Sequence, residues 1–205
     1  MKQASRRAFL AAGMAAPAAR RTSRPESAQP PLRYRVLGKT GLKVTELGFG
    51  SEAVSDVSVF ERALEVGINF FDTARSYQGG NAEAALGAAL RGRRKNVALS
   101  TRSYADNARQ MQADLETSLR ELRTDTVDIW YIGHKERPEQ VTGEMLSVQA
   151  AAQKAGKVRF RGLSTHRIGG IVDFAIERGF DVVQIPYSFA IGTARDPFKM
   201  DAGGL

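Results

Sequence analysis

"GINFFDTARSYQGGNAE", at residues 67–83, is the most informative stretch of the chain, because an apolar run within it ends on a carboxylate. Phe70 and Phe71 predict a buried strand, Asp72 ends that strand, and Tyr77 follows five positions later. A buried carboxylate beside aromatic rings costs free energy unless a partner compensates it. Asp72 is therefore either a cap or turn residue, or a group that the fold holds in place for chemistry.

Apolar runs rich in Val, Ile and Phe recur along the chain, with stretches of helical spacing between them. The runs are "ELGFG" (46–50), "INFFD" (68–72), "NVALST" (96–101), "VDIWYI" (127–132), "KVRFRGLS" (157–164) and "DVVQIPYS" (181–188). Strand and helix alternating at intervals of 22 to 31 residues predict parallel βα units. Ahead of the first unit, residues 34–44 carry turn signals at Gly38 and Gly41 and predict a hairpin.

Two of the intervening stretches show clear helical periodicity. Apolar residues repeat at three and four positions over 106–122, with Asp106 as a possible N-cap, and again over 166–178. Glycines stand where a helix should end and the next strand begin. These glycines are Gly67, Gly92, Gly156 and Gly179.

Chemically capable side chains stand at the ends of successive predicted strands. They are Asp72, with Tyr77 just after it, Arg102, His134, Ser164, Thr165 and Gln184. Polar groups at the carboxyl ends of successive parallel strands are typical of a βα-barrel active site, and no G-x-G-x-x-G follows the first strand to favour a doubly wound sheet. We therefore predict an α/β fold of the (β/α)8 TIM-barrel type, incomplete, with about six βα units after an N-terminal hairpin.

The composition limits the function. The 205 residues are 42% hydrophobic, contain no cysteine and include only two histidines, so thiol chemistry is excluded and no metal centre is expected. The net charge of +8 is concentrated in residues 1–35, where eight basic residues accompany one acidic residue. Since the remainder is nearly neutral, no nucleic-acid partner is predicted.

Residues 1–31 are predicted to be a signal peptide and linker. "SRRAFL" (5–10) precedes the small apolar stretch "AAGMAAPAA" (11–19), and a Pro-, Ser- and Arg-rich run follows. The pair Arg6–Arg7 resembles a twin-arginine signal, which predicts export to the periplasm; a disordered basic tail on a cytoplasmic protein is the alternative. The apolar stretch is too short for a membrane span.

Several motifs together resemble the aldo/keto reductase family. They are "YRVLGKTGLKVTELGFG", "GINFFDTARSYQGGNAE", "LSTR", "TDTVDIWYIGH", "GKVRFRGLSTH" and "DVVQIPYS", which run from Tyr34 to Ser188. The resemblance implies a (β/α)8 barrel at residues 32–205 that uses NADPH, without a metal, to reduce a small-molecule carbonyl substrate to an alcohol.

The resemblance also implies roles for individual residues. Asp72 and Tyr77 fall on two members of the family's catalytic tetrad, with Tyr77 as the proton donor. A buried cation beside Asp72 would favour the deprotonated phenol. By the same motifs, Ser164, Thr165 and Gln184 fall on the positions that contact the carboxamide of the cofactor.

The chain departs from the family pattern at the other two catalytic positions. The family lysine falls at Arg102, which keeps the charge but is larger and planar. The family histidine falls at Gly133, with His134 one place later, and one residue reverses the face of a straight strand. We expect a bulge at Gly133, or an early end of the strand at the polar "GHKE" (133–136), to turn His134 back toward the site, giving a catalytic set of Asp72, Tyr77, Arg102 and His134.

Length is a further departure. About 170 residues follow the leader, whereas a complete barrel typically has about 250. The barrel domain is thus expected to be truncated at its C-terminus, or completed by a missing segment or a partner chain. Three hypotheses follow: an NADPH-dependent oxidoreductase, a non-catalytic cofactor-binding or interaction module, and an inactive truncated fragment.

Overall fold

The computed structural model describes residues 31–167 and 169–187. The predicted leader, apart from Pro31, lies outside the described residues, as do Ile168 and the chain after Tyr187. Export and completion of the barrel by another segment or chain therefore stay predictions. Within the described part of the chain, no helix has the length and hydropathy needed to cross a membrane.

The predicted hairpin is present at the start of the described chain. Strand β1 (Tyr34–Val36) pairs antiparallel with strand β2 (Lys43–Thr45). A 3-10 turn at Gly38–Thr40 joins them, and Gly41 follows it with a φ of +71°, a conformation that suits glycine.

Six parallel strands form a curled half-barrel, which confirms the predicted incomplete (β/α)8 barrel. The strands are β3 (Phe49–Gly50), β4 (Phe70–Asp72), β5 (Ala98–Ser103), β6 (Val127–Ile132), β7 (Val158–Ser164) and β8 (Val182–Gln184), paired in that order. The intervening helices are α1 (Val57–Glu65), α2 (Asn81–Ala89), α3 (Ala108–Glu121), α4 (Gly143–Lys154) and α5 (Ile171–Glu177). Because every neighbouring pair is parallel, all six carboxyl ends lie along one edge.

Alternate residues of the sheet face two separate cores. In β6, Ile129 and Tyr131 pack inside the half-barrel with Leu42 and Val44 of the hairpin region. Trp130 belongs to the larger core between the sheet and the helices. This alternation follows from the two-residue period of a strand, and it places the hairpin against the interior.

Helix α3 begins later than the sequence predicted. Asn107, not Asp106, is the N-cap, and its side chain accepts a 2.9 Å hydrogen bond from the Gln110 backbone N–H. The Asp106 carboxylate instead accepts a hydrogen bond of 2.7 Å from Lys135 Nζ. Aspartate and asparagine are equally good N-caps, so the sequence could not show that a buried lysine engages the first of them.

The four glycines predicted to end helices all adopt positive φ angles. The values are +94° at Gly67, +73° at Gly92, +75° at Gly156 and +68° at Gly179. These left-handed residues end the helical segments and turn the chain back toward the sheet, as the sequence predicted.

Gly87 is a point of close approach between helix α2 and the end of helix α3. A Cβ there would lie 2.4 Å from the Glu121 carbonyl oxygen and 2.8 Å from Leu122 Cα. Gly87→Ala should therefore lower the free energy of unfolding by about 1–3 kcal/mol, measured by urea denaturation. Gly143→Ala is the matched control, because a Cβ at Gly143 meets nothing within 4 Å. Equal stability of the two variants would show that α2 and α3 can move apart freely.

Candidate active site

The carboxyl ends of the parallel strands surround a pocket of about 650 Å³. Every site residue predicted from the sequence lines it: Asp72, Tyr77, Arg102, His134, Ser164, Thr165 and Gln184. The structure adds further polar side chains that the sequence analysis did not select, and these are Ser51, Glu52, Tyr104, Asp106, Lys135 and His166. The pocket therefore combines acidic, basic, phenolic and imidazole groups.

A buried ion pair joins the ends of β4 and β5. Arg102 donates a hydrogen bond to Asp72 Oδ2, and Ser100 Oγ donates one of 2.5 Å to Asp72 Oδ1. The Arg102 side chain is only 8% exposed. Asp72 is thus held by a cation, as the resemblance implied, and it is not a helix cap.

The Arg102 guanidinium also lies close to two aromatic rings. Its central carbon is 5.9 Å from the centroid of the Tyr77 ring and 5.2 Å from that of Tyr131. Burial acts to lower the pKa of Arg102, but the Asp72 carboxylate outweighs burial, and the net pKa is raised. Among the described residues, Arg102 Nε is buried without a hydrogen-bond partner.

The loop that carries Tyr77 is fixed from beneath by a second buried ion pair. Arg75 donates a 2.5 Å hydrogen bond to the fully buried Glu83, and Thr101 Oγ1 donates one of 2.6 Å to the same carboxylate. Gly80 is required in this loop, because its φ is +96° and a Cβ there would overlap the Arg75 guanidinium. These contacts place Tyr77 over the strand ends.

The Tyr77 hydroxyl shares a hydrogen bond of 3.2 Å with the Tyr104 hydroxyl. Burial raises the pKa of Tyr77 above the usual value for tyrosine, and the bond to Tyr104 raises it further. The charge on Arg102 lowers the pKa but is outweighed. The cation acts on the pKa in the expected direction, but burial has the larger effect, and Tyr77 is a neutral phenol that can donate its proton.

Tyr104 is the residue that contacts the Tyr77 hydroxyl, and it is one of the pocket residues that the sequence analysis did not select. It stands two positions after Arg102, so the two-residue period of a strand directs both side chains to the same face. That spacing was the available signal. It was passed over because Tyr104 lies beyond the apolar run that defined the strand.

His134 reaches the pocket, but not through a bulge at Gly133. Strand β6 ends at Ile132, and His134 itself adopts a left-handed backbone with a φ of +53°. Its backbone N–H donates a 3.1 Å hydrogen bond to Ser164 Oγ, which stabilises this turn. Of the two expected routes, the early end of the strand is the one observed, and the turn falls one residue after Gly133.

The His134 ring lies beside two other rings at the pocket rim. Its centroid is 4.2 Å from that of His166, in an edge-on arrangement, and 6.3 Å from that of Tyr104. Burial lowers the pKa of His134, His166 lowers it further, and Glu136 opposes both. The side chain is therefore a neutral imidazole at neutral pH.

Comparison with known proteins agrees with this geometry. Residues 44–200 match the model of the aldo/keto reductase family, which is well over half of the chain. The chain belongs to the aldo/keto reductase family. This is a family of oxidoreductases.

Individual relatives of this aldo/keto reductase homologue cover most of its length. Aldo-keto reductase YhdN of Bacillus subtilis (strain 168) is 26% identical over 180 residues, 77% of this chain and 54% of the relative. L-galactose dehydrogenase of Arabidopsis thaliana is 29% identical over 154 residues, 65% of this chain and 48% of the relative. The chain spans about half the length of these curated relatives.

A solved structure is also similar. The holo form of an aldo-keto reductase from Bacillus halodurans matches with a TM-score of 0.71 and 26% identity. The match covers 77% of this chain and 58% of that one. The described half-barrel is thus the arrangement found in the corresponding part of a longer aldo-keto reductase.

Three residues at the ends of β7 and β8 could hold the carboxamide of a cofactor, and they differ in how much of their hydrogen-bonding capacity is unused. Gln184 Oε1 is buried with no hydrogen-bond partner among the described residues, so it can accept from an amide. Ser164 Oγ accepts from His134 and keeps its own hydrogen to donate. The Thr165 hydroxyl is engaged with Arg167 at 2.9 Å as both donor and acceptor, which leaves it least available.

Asp72→Asn should destabilise this aldo/keto reductase homologue by about 3 kcal/mol, because it leaves Arg102 buried without a counter-ion. The measurement is the free energy of unfolding in urea at neutral pH. Asp125→Asn, an exposed loop substitution, is the matched control and should change stability by no more than about 0.5 kcal/mol. A loss at Asp72 as small as the control's would mean that solvent already screens Arg102.

Proposed function

We propose that the chain is an NADPH-dependent reductase that converts a carbonyl to an alcohol. The observation that carries the proposal is the buried Asp72–Arg102 pair beside the Tyr77 phenol in the pocket. A neutral phenol next to a fixed cation is suited to give a proton to a carbonyl oxygen as negative charge develops on it.

In this mechanism Tyr77 donates its hydroxyl proton to the substrate oxygen. The phenolate left behind is stabilised by the Arg102 guanidinium, which Asp72 holds in place; Ser100 in turn donates a hydrogen bond to Asp72. The nicotinamide, when bound, supplies the hydride. Gln184 and Ser164 would hold its carboxamide, because Gln184 offers an unpaired acceptor and Ser164 an unused donor.

Tyr104 and His134 complete the proposed site. Tyr104 holds the Tyr77 hydroxyl in position through their shared hydrogen bond. His134, as a neutral imidazole at the rim, can orient the substrate carbonyl by a hydrogen bond. The pocket lining supports these roles, and the proposed substrates are small carbonyl compounds.

A non-catalytic cofactor-binding module is the second candidate. It is favoured by Arg102, which stands where the family has lysine, and by Gly133, which stands where the family has histidine. The two candidates differ in one measurable property, since both bind NADPH but only the reductase consumes it when a carbonyl is added.

The test is a titration of the purified chain with NADPH and with NADH, followed by carbonyl-dependent NADPH oxidation across a panel of aldehydes and ketones. Tyr77→Phe should keep NADPH binding and lose turnover by about 10²-fold or more, because the proton donor is absent. Tyr34→Phe, in the exposed hairpin, is the matched control and should leave turnover unchanged. Binding without any turnover in the parent chain would select the non-catalytic module, and the absence of binding would reject both.

Arg102→Lys should raise turnover. It restores the family's compact ammonium between Asp72 and Tyr77, and it removes the buried guanidinium Nε that lacks a partner among the described residues. Arg102→Met, which fills similar space without charge, should lower turnover below that of the parent. Should the lysine variant be slower than the parent, the site has adapted to the planar guanidinium.

A further inference from the structure

Two loops at the carboxyl edge of the sheet bring both histidines of the chain together with a glutamate. His134 and Glu136 lie after strand β6, and His166 lies after strand β7. One imidazole nitrogen from each histidine and one carboxylate oxygen of Glu136 all lie within 4.8 Å of one another. His134 Nε2 lies 3.5 Å from Glu136 Oε1.

The backbone of both loops is anchored, so the three side chains start from fixed positions. The His134 N–H donates to Ser164 Oγ at 3.1 Å, and the Glu136 N–H donates to Gln140 Oε1 at 2.7 Å. The His166 N–H donates a 3.1 Å hydrogen bond to Glu136 Oε1, which ties the two loops to each other. A carboxylate has about four acceptor positions, so this bond leaves Glu136 able to bind an ion.

The chemistry of this donor set selects the class of ion. Two imidazoles and one carboxylate suit zinc and its first-row neighbours, whereas Mg²⁺ and Ca²⁺ prefer oxygen donors alone. Donor atoms about 2.0–2.1 Å from an ion lie about 3.3 Å apart in a tetrahedral site. The three side chains therefore need to draw together by no more than about 1.5 Å, and the His134 side chain is 46% exposed to solvent.

Two of the neighbouring positive charges have counter-ions of their own. Lys135, between His134 and Glu136 in the sequence, is paired with Asp106 at 2.7 Å. Arg102, deeper in the pocket, is paired with Asp72. Arg137 and Arg167 also stand next to proposed ligands in the sequence, and Glu136 is the ligand among the three that carries a negative charge.

We propose that His134, Glu136 and His166 form a binding site for a divalent transition-metal ion of the zinc class at the rim of the pocket. The site goes beyond the proposed reductase function and does not depend on it. Three protein ligands leave at least one coordination position for water. Because His134 and His166 also line the pocket, the ion would lie at its entrance.

The test uses tag-free protein from which metal has been removed with a chelator. Binding of Co²⁺ is measured by its visible absorption, and binding of Zn²⁺ by competition against a coloured chelator. Since the sequence has only two histidines and no cysteine, imidazole ligation can come from no other residue of the chain. The variants are His166→Ala and Glu136→Gln. The matched control is Glu139→Gln, an exposed glutamate three positions from the proposed ligand.

The parent should bind one ion per chain. His166→Ala and Glu136→Gln should bind the ion at least about tenfold more weakly, and Glu139→Gln should bind it with the affinity of the parent. Circular dichroism checks that each variant is folded; if His166→Ala is not, Glu136→Gln decides alone. The absence of saturable binding, or equal affinity in Glu136→Gln and Glu139→Gln, would overturn the proposal. Metal binding is measured without NADPH or a carbonyl, so the failure of this site can be told apart from the failure of the reductase function. An ion bound to His134 would occupy the imidazole that the proposed mechanism assigns to the substrate carbonyl.

Discussion

The ion pair between Asp72 and Arg102 is the interaction on which the pocket depends. The two residues end neighbouring parallel strands, and their contact fixes the carboxyl edge of β4 against that of β5. Removing two charges from water is costly, and a buried pair seldom adds net stability. The contribution of the pair is better understood as positioning, because Asp72 holds the Arg102 guanidinium next to the Tyr77 ring.

The order of strands and helices could be predicted because its signals are local. Apolar runs, helical spacing and glycines at helix ends can each be recognised within about ten residues of sequence. Because the strands are parallel, the polar side chains at their carboxyl ends then lie along one edge of the sheet. Asp72, Tyr77, Arg102 and Gln184 are predictable in this way. Asp106 shows the limit, since its hydrogen bond from Lys135 comes from the loop after β6 and outweighs its propensity to cap a helix.

The finer geometry could not be predicted, because it depends on contacts between distant parts of the chain. The left-handed turn at His134 is stabilised by Ser164, thirty residues later. The approach of His134 to His166 also depends on contacts between distant residues, because the two histidines lie in different loops. A count of two histidines predicts no metal site and does not show that the two lie side by side. Thr165 matched the family pattern, yet its hydroxyl is engaged with Arg167, which no motif reveals.

Gly133, which departs from the family pattern, lies directly against Tyr104, and the two residues constrain each other. A Cβ at Gly133 would lie 2.7 Å from the Ser103 carbonyl oxygen and 3.1 Å from the Tyr104 ring. The ring that excludes a side chain at Gly133 is the one whose hydroxyl bonds Tyr77. A histidine placed at 133 alone would therefore displace Tyr104 and disturb the proton donor it was meant to assist. In this chain the polar group next to the Tyr77 hydroxyl is therefore Tyr104, just after β5, while His134 lies at the rim of the pocket.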